Sequence, residues 1–165
     1  MWSYRLILLI AAFLLSSCGF QLRGTATLPF NTLYVDAPTA SLFATQLRRV
    51  IGFGSQTRIT NNQAEADATL QVVSELREKE ILSLSAGGRV RELQLRYRVQ
   101  YLVYDKNKAP IAPPGEILLR RDYSFNDQEQ LSKESEEALL YRDMQADAVQ
   151  QLIRRLQAAA RPAAS

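Results

Sequence analysis

Histidine is absent from this 165-residue chain, and cysteine occurs once. Without histidine the chain lacks the commonest general base and the commonest metal ligand at neutral pH. The two scarcities together exclude zinc sites of the usual kinds and nucleophiles of the Ser-His-Asp or Cys-His type. A single cysteine cannot close an intrachain disulfide, so packing must hold the fold. Glycine is sparse as well, at seven, and no P-loop or Rossmann spacing is present. Carboxylate-pair or lysine chemistry stays formally open, but nothing marks it. The composition therefore reads as non-enzymatic, with no cofactor.

Strong charge of one sign is missing too. The net charge is +3, too mild for a nucleic-acid binder by bulk electrostatics. Within the basic set, 16 arginines stand against 4 lysines. Arginine presents a rigid fork that pairs bidentately with phosphate or carboxylate. Hydrophobic residues make up 47% and charged residues 22%, the balance of a globular chain.

The first 18 residues carry an export layout. Arg5 is the sole charge, Leu6 to Leu15 is an unbroken apolar run of ten, and small residues follow at Ser16-Ser17. A bilayer span needs about 20 apolar residues, so this run is too short. Leu15-Ser16-Ser17-Cys18 resembles the bacterial lipobox, after which the cysteine is acylated and becomes the first mature residue. Gly19 follows, where aspartate is the usual inner-membrane retention signal, and its absence favours the outer membrane. One acyl chain holds a protein weakly and two or more hold it firmly. Expected boundaries are a signal peptide at 1–17, the acylated cysteine and tether at 18–29, one domain at 30–157 and a flexible tail at 158–165.

Along the domain, Thr32 to Asp36 reads as a strand, and Thr39 or Ser41 caps a helix running to about Ile51. Leu42, Phe43, Leu47, Val50 and Ile51 share its apolar face, and Gly52 and Gly54 stop it. Thr57 to Asp67 reads as a polar connector. A strand follows at about Ala68 to Leu76, with Arg77 to Glu80 as a charged edge and Ile81 to Leu84 as a possible extension. Glu92 to Asp105 carries the clearest pattern: Leu93, Leu95, Tyr97, Val99, Tyr101 and Val103 alternate with Gln94, Arg96, Arg98 and Gln100. Period two of this kind means one dry and one wet sheet face. The Pro-rich stretch Pro110 to Gly115 argues against regular pairing, and Ile117 to Phe125 reads as the last strand. Asn126 or Asp127 opens a long helix, with a possible break near Ser135 and an apolar stripe that includes Leu131, Leu139, Met144, Val149 and Leu156. The expectation is an α+β domain of order β-α-β-β-β-α, with two helices packed on one face of a four-stranded mixed sheet.

Gly19-Phe20-Gln21-Leu22-Arg23-Gly24 directly after the lipobox, Arg121 to Asp127, and Gln151 to Leu156 together resemble the LptE family of LPS-assembly lipoproteins, from Cys18 to about Leu156. The resemblance implies an outer-membrane lipoprotein on the periplasmic side that plugs an LptD β-barrel, assists its assembly and binds lipopolysaccharide. Alternatives are a structural lipoprotein of another periplasmic envelope complex, or a lipid carrier with an internal cavity.

Candidate residues follow from phosphate chemistry. Arg89 and Arg91 beside Gly87-Gly88 suit a flexible, phosphate-contacting tip. Lys133 is a second basic candidate, though Glu129 and Glu137 lie at helical spacing to pair with it. Arg96, Arg98 and Arg120 on the wet face are candidates for contact with a barrel, or else are cross-strand partners of acidic neighbours. Cys18 is the lipid attachment site. Cys18→Ala is expected to abolish palmitate labelling and to move the protein towards the soluble periplasmic fraction. Label retained on the variant would place acylation elsewhere.

Overall fold

The computed structural model describes residues 27–126 and 130–159. The expected signal peptide, Cys18, residues 160–165 and residues 127–129, where the long helix is expected to open, lie outside the described residues. The elements are β1 (Thr32–Asp36), α1 (Leu42–Gly54), β2 (Arg58–Thr60), a single 3-10 turn at Gln63–Glu65, β3 (Ala68–Leu84), β4 (Val90–Asp105), β5 (Pro110–Ser124) and α2 (Gln130–Ala159). All five strands form one mixed sheet in the order β2-β1-β3-β4-β5. β1 is parallel to β2 and β3, whereas β3, β4 and β5 are antiparallel neighbours. Two helices against a mixed sheet match expectation. The strand count does not, being five rather than four.

The extra strand is β2, inside the stretch read as a connector. It is three residues long and mostly polar, so it carries no period to detect. Its partners supply the order: Thr32, Leu33 and Tyr34 of β1 face Arg58, Ile59 and Thr60 in register. α1 is the crossover joining these two parallel strands. Ser41 caps it, its Oγ accepting from the Ala44 N–H at 3.0 Å. The helix continues through Gly52 to Gly54 and ends where the Ser55 N–H and Oγ–H both donate to the Ile51 carbonyl. Phe43, Ala44, Leu47 and Ile51 are buried, but Leu42 is 56% exposed and leaves the predicted face.

β4 follows its alternation along its length, and every odd residue from Leu93 to Val103 is buried. β3 does not keep a strict period. Ala68, Leu70 and Val72 face the helices, but a bulge at Val73–Ser74 sets two residues against Gln100 alone. Beyond it the inward row is Glu75, Arg77 and Lys79, opposite Val99, Tyr97 and Leu95. β5 begins earlier than expected. Pro110 and Ala112 pair with Tyr104 and Val103, with register shifts on either side of Val103. Proline is tolerated there because β5 is an edge strand.

α2 is unbroken past Ser135, whose Oγ–H donates back to the Leu131 and Ser132 carbonyls. Met144, Ala148, Leu152 and Leu156, four residues apart, are buried against the sheet. Leu131, at 84% exposure, and Leu139 leave the predicted stripe, because Lys133, Glu137 and Tyr141 hold the sheet-facing positions of these turns and both leucines point to the other side. Tyr97, Phe43, Leu47, Met144 and Leu152 fill the helix–sheet interface, which argues against a carrier cavity there.

Gly115 lies opposite Tyr101, and a Cβ on it would fall 2.3 Å from the Tyr101 ring. Arg155 of α2 holds that ring edge, donating to the Tyr101 hydroxyl at 3.3 Å and to the Glu116 carbonyl at 2.7 Å. Gly115→Ala is expected to lower stability by about 1–3 kcal/mol, the usual cost of overpacking. Gly52→Ala, with nothing within 4 Å of its Cβ, is expected to be neutral or to stabilise by about 0.5–1 kcal/mol. Urea denaturation of the two variants checks both.

Candidate functional site

The β3–β4 hairpin closes through a tight turn. The Ser85 N–H donates to the Arg89 carbonyl at 2.7 Å, and the Gly88 N–H donates to the Ser85 carbonyl at 2.9 Å. Ser85 Oγ accepts from the Arg89 N–H at 3.1 Å. Gly88 has φ +74°, a conformation that favours glycine. Arg89 and Arg91 are exposed on this turn and carry no ion pair among the described residues. Ile81, Leu82 and Leu84 are exposed beside them, at 55%, 45% and 56%.

The end of β5 and the start of α2 meet the same end of the sheet. The Phe125 N–H donates to the Arg91 carbonyl at 2.8 Å, and Lys133 Nζ donates to Ser124 Oγ at 3.4 Å. Arg91 and Lys133, 42 positions apart in sequence, thus flank the same two residues. Lys133 is largely covered and pairs with Glu136 at 2.8 Å, not with Glu137. Glu137 is taken by Lys79 and by the Tyr123 hydroxyl, and Glu129 lies outside the described residues. The result is an end that combines free guanidinium groups with uncovered aliphatic side chains. Such a surface suits a ligand bearing both anionic groups and hydrocarbon.

On the outer sheet face, Arg96 pairs with Glu80 and stands directly opposite Arg120. Arg98 lies 3.7 Å from Glu78 and 3.9 Å from Glu116, and its Nε is buried without a hydrogen-bond partner among the described residues. Arg120 is exposed and carries no ion pair among the described residues. Leu76 and Leu118 flank Arg98 across the strands.

Facing the helices, each charged residue of the β3 row has at least one partner. Glu75 accepts from the Ser41 hydroxyl at 2.6 Å and the Tyr97 hydroxyl at 2.7 Å. Arg77 donates to Gln145 Oε1 at 3.2 Å and lies over the Tyr97 and Tyr141 rings. Burial, then the bond to Glu75, holds the Tyr97 hydroxyl well above the ordinary tyrosine range. Burial, then Glu137, raises Tyr123 and Tyr141 as well. The row was not among the sequence candidates. Its signal is the doublets Val72-Val73 and Ile81-Leu82, two apolar neighbours in an otherwise alternating strand, where β3 changes register.

Solved bacterial lipoproteins share this architecture. Lipoprotein B of Nitrosomonas europaea superposes with TM-score 0.73 at 44% identity, over 85% of this chain and 91% of that one. The rare lipoprotein B of Shewanella oneidensis gives 0.66 at 26% identity, over 78% and 95%. The LPS-assembly lipoprotein LptE of Pectobacterium atrosepticum is 27% identical over 93% of this chain and 84% of its own length. The LptE lipopolysaccharide-assembly model matches residues 30–156, and the chain belongs to that family.

The tyrosines set a pH dependence. Their folded values lie above the unfolded value near 10, so their contribution is complete below pH 10 and is lost as pH rises above it. For Tyr97 the loss is at most about 1.4 kcal/mol per pH unit. Between pH 8 and pH 11, Tyr97→Phe is expected to lose less stability than the wild type in urea titrations. Equal losses would contradict the buried Tyr97–Glu75 pair.

Proposed function

We propose that this protein acts at the periplasmic side of the outer membrane, anchored through acylated Cys18, as a lipoprotein of lipopolysaccharide assembly. In this reading it seats in an LptD-like β-barrel and contacts lipopolysaccharide during delivery to the outer leaflet. Family membership supports the assembly role. The observation that carries the lipid contact is the hairpin end, where Arg89 and Arg91 stand free beside Ile81, Leu82 and Leu84. Arginine forks match the phosphates of the lipid, and the aliphatic side chains match its acyl chains. Lys133, already paired with Glu136, is a secondary contact that gives up its carboxylate on binding.

The outer sheet face supports a barrel contact. Arg120 is exposed, faces Arg96 and carries no ion pair among the described residues. A hydrated barrel lumen offers acceptors to such groups. Arg96 is bound by Glu80 and contributes less.

Exchanging both Arg89 and Arg91 for glutamate is expected to weaken lipopolysaccharide binding at least tenfold, with an unchanged urea midpoint. Unaltered binding would reject the hairpin end. The full lipoprotein is expected to copurify with an outer-membrane barrel protein, and depletion is expected to impair surface lipopolysaccharide. A different copurifying partner would favour another envelope complex.

A further inference from the structure

A cleft of about 610 Å³ opens between α1 and α2, with Thr45, Arg49 and Val50 on one side, Ala138 and Arg142 on the other, and Arg77 of β3 at its floor. Three guanidinium groups line this hollow and, among the described residues, no carboxylate does. None of the three forms an ion pair among the described residues. The helices themselves offer none, because positions three and four away from Arg49 and Arg142 hold no acidic residue. Elsewhere Arg96, Arg98 and Arg121 each have a carboxylate partner.

Arg77 is held in place without being neutralised. It lies 5.3 Å from the centre of the Tyr141 ring and 5.9 Å from that of Tyr97. Gln145 Oε1 accepts one of its N–H groups, and Gln145 is fixed in turn by donating to Gln46 Oε1 at 2.7 Å and to the Leu42 carbonyl at 3.2 Å. Glu75, two residues away on the same face, has one oxygen bound by the Tyr97 hydroxyl and the other by the Ser41 hydroxyl. The guanidinium therefore keeps donors of its five N–H groups unspent. Like charges around one hollow repel, and an anion between them reverses the sign of that interaction.

We propose that the α1–α2 cleft binds a phosphate monoester carried on a sugar-sized molecule. The volume falls in the range of small-molecule sites, and is larger than a bare phosphate needs. Guanidinium forks favour a phosphoryl group, and the aliphatic and hydroxyl lining suits a sugar ring. The site stands apart from the hairpin end and does not depend on the reading of that end.

The test uses the full chain and two probes, inorganic phosphate and glucosamine 1-phosphate, followed by calorimetry and by NMR of the arginine Nε–H signals. Saturable binding is expected in the wild type and in Arg58→Gln, an exposed arginine outside the cleft. A loss of at least tenfold is expected in R49Q/R142Q, whose side chains lie outside the buried network and leave the urea midpoint in place. Arg77→Gln is expected to lose binding further. If glucosamine 1-phosphate binds at least tenfold more tightly than phosphate, the source is a phosphosugar headgroup. If the two bind equally, the sugar is not recognised, and the proposal is overturned in favour of a site for the bare anion. Wild-type affinity in R49Q/R142Q, or failure of both probes to bind the wild type, would overturn the proposal. Binding of a glutamate-rich peptide where both phosphates fail would also overturn it, in favour of an acidic protein partner.

Discussion

A one-residue irregularity in β3 sets the arrangement of everything packed around it. Without the bulge at Val73–Ser74, strict alternation from Ala68, Leu70 and Val72 would turn Leu76, Glu78 and Glu80 towards the helices. With it, Glu75, Arg77 and Lys79 face inward and Leu76, Glu78 and Glu80 face outward. Of this row Glu75 is half-buried while Arg77 and Lys79 reach solvent, and a partly covered charge is held best when it is paired. Here each is: Glu75 by two hydroxyls, Arg77 by Gln145 and two aromatic faces, Lys79 by Glu137. Every partner comes from the N-cap of α1, from β4 or from α2, so the row ties the layers together at the point where the aliphatic core runs out.

That choice separates the molecule into surfaces with different chemistry. Where β1 and α1 cover β3, the interior is aliphatic and closed. Past Gln71 β3 loses its β1 neighbour, and its long hairpin with β4 extends beyond the helices, leaving Ile81, Leu82 and Leu84 uncovered. Arg89 and Arg91 sit on that extension. The outward glutamates, in turn, hold Arg96 and Arg98 flat on the outer face. One register decision therefore shapes the hairpin end, the outer face and the Arg77 floor of the interhelical cleft.

The sequence is legible where one face is buried along a whole element. β4 shows this best, because each odd side chain meets the core and each even one meets solvent. The stripe of α2 from Met144 onward is legible for the same reason. The pattern fails where tertiary pairing overrides local preference. β2 is too short and polar to carry a period, and β5 begins in prolines that only an edge position permits. Leu42, Leu131 and Leu139 are apolar yet lie off the buried faces of their helices. Among candidate residues, Gly87-Gly88 marks the turn that presents Arg89 and Arg91. Their aliphatic companions read merely as strand, and the carboxylates beside Arg96, Arg98 and Lys133 are set by register. Arg77 is visible only once the bulge is known.

The inward orientation of Glu75 is the hinge of this account, and a double-mutant cycle between Glu75→Gln and Tyr97→Phe tests it most directly. A buried hydrogen-bonded pair predicts a coupling energy of about 1–2 kcal/mol in urea denaturation at neutral pH. Additivity within about 0.3 kcal/mol would place Glu75 away from Tyr97, and would contradict the register on which the hairpin end, the outer face and the cleft depend.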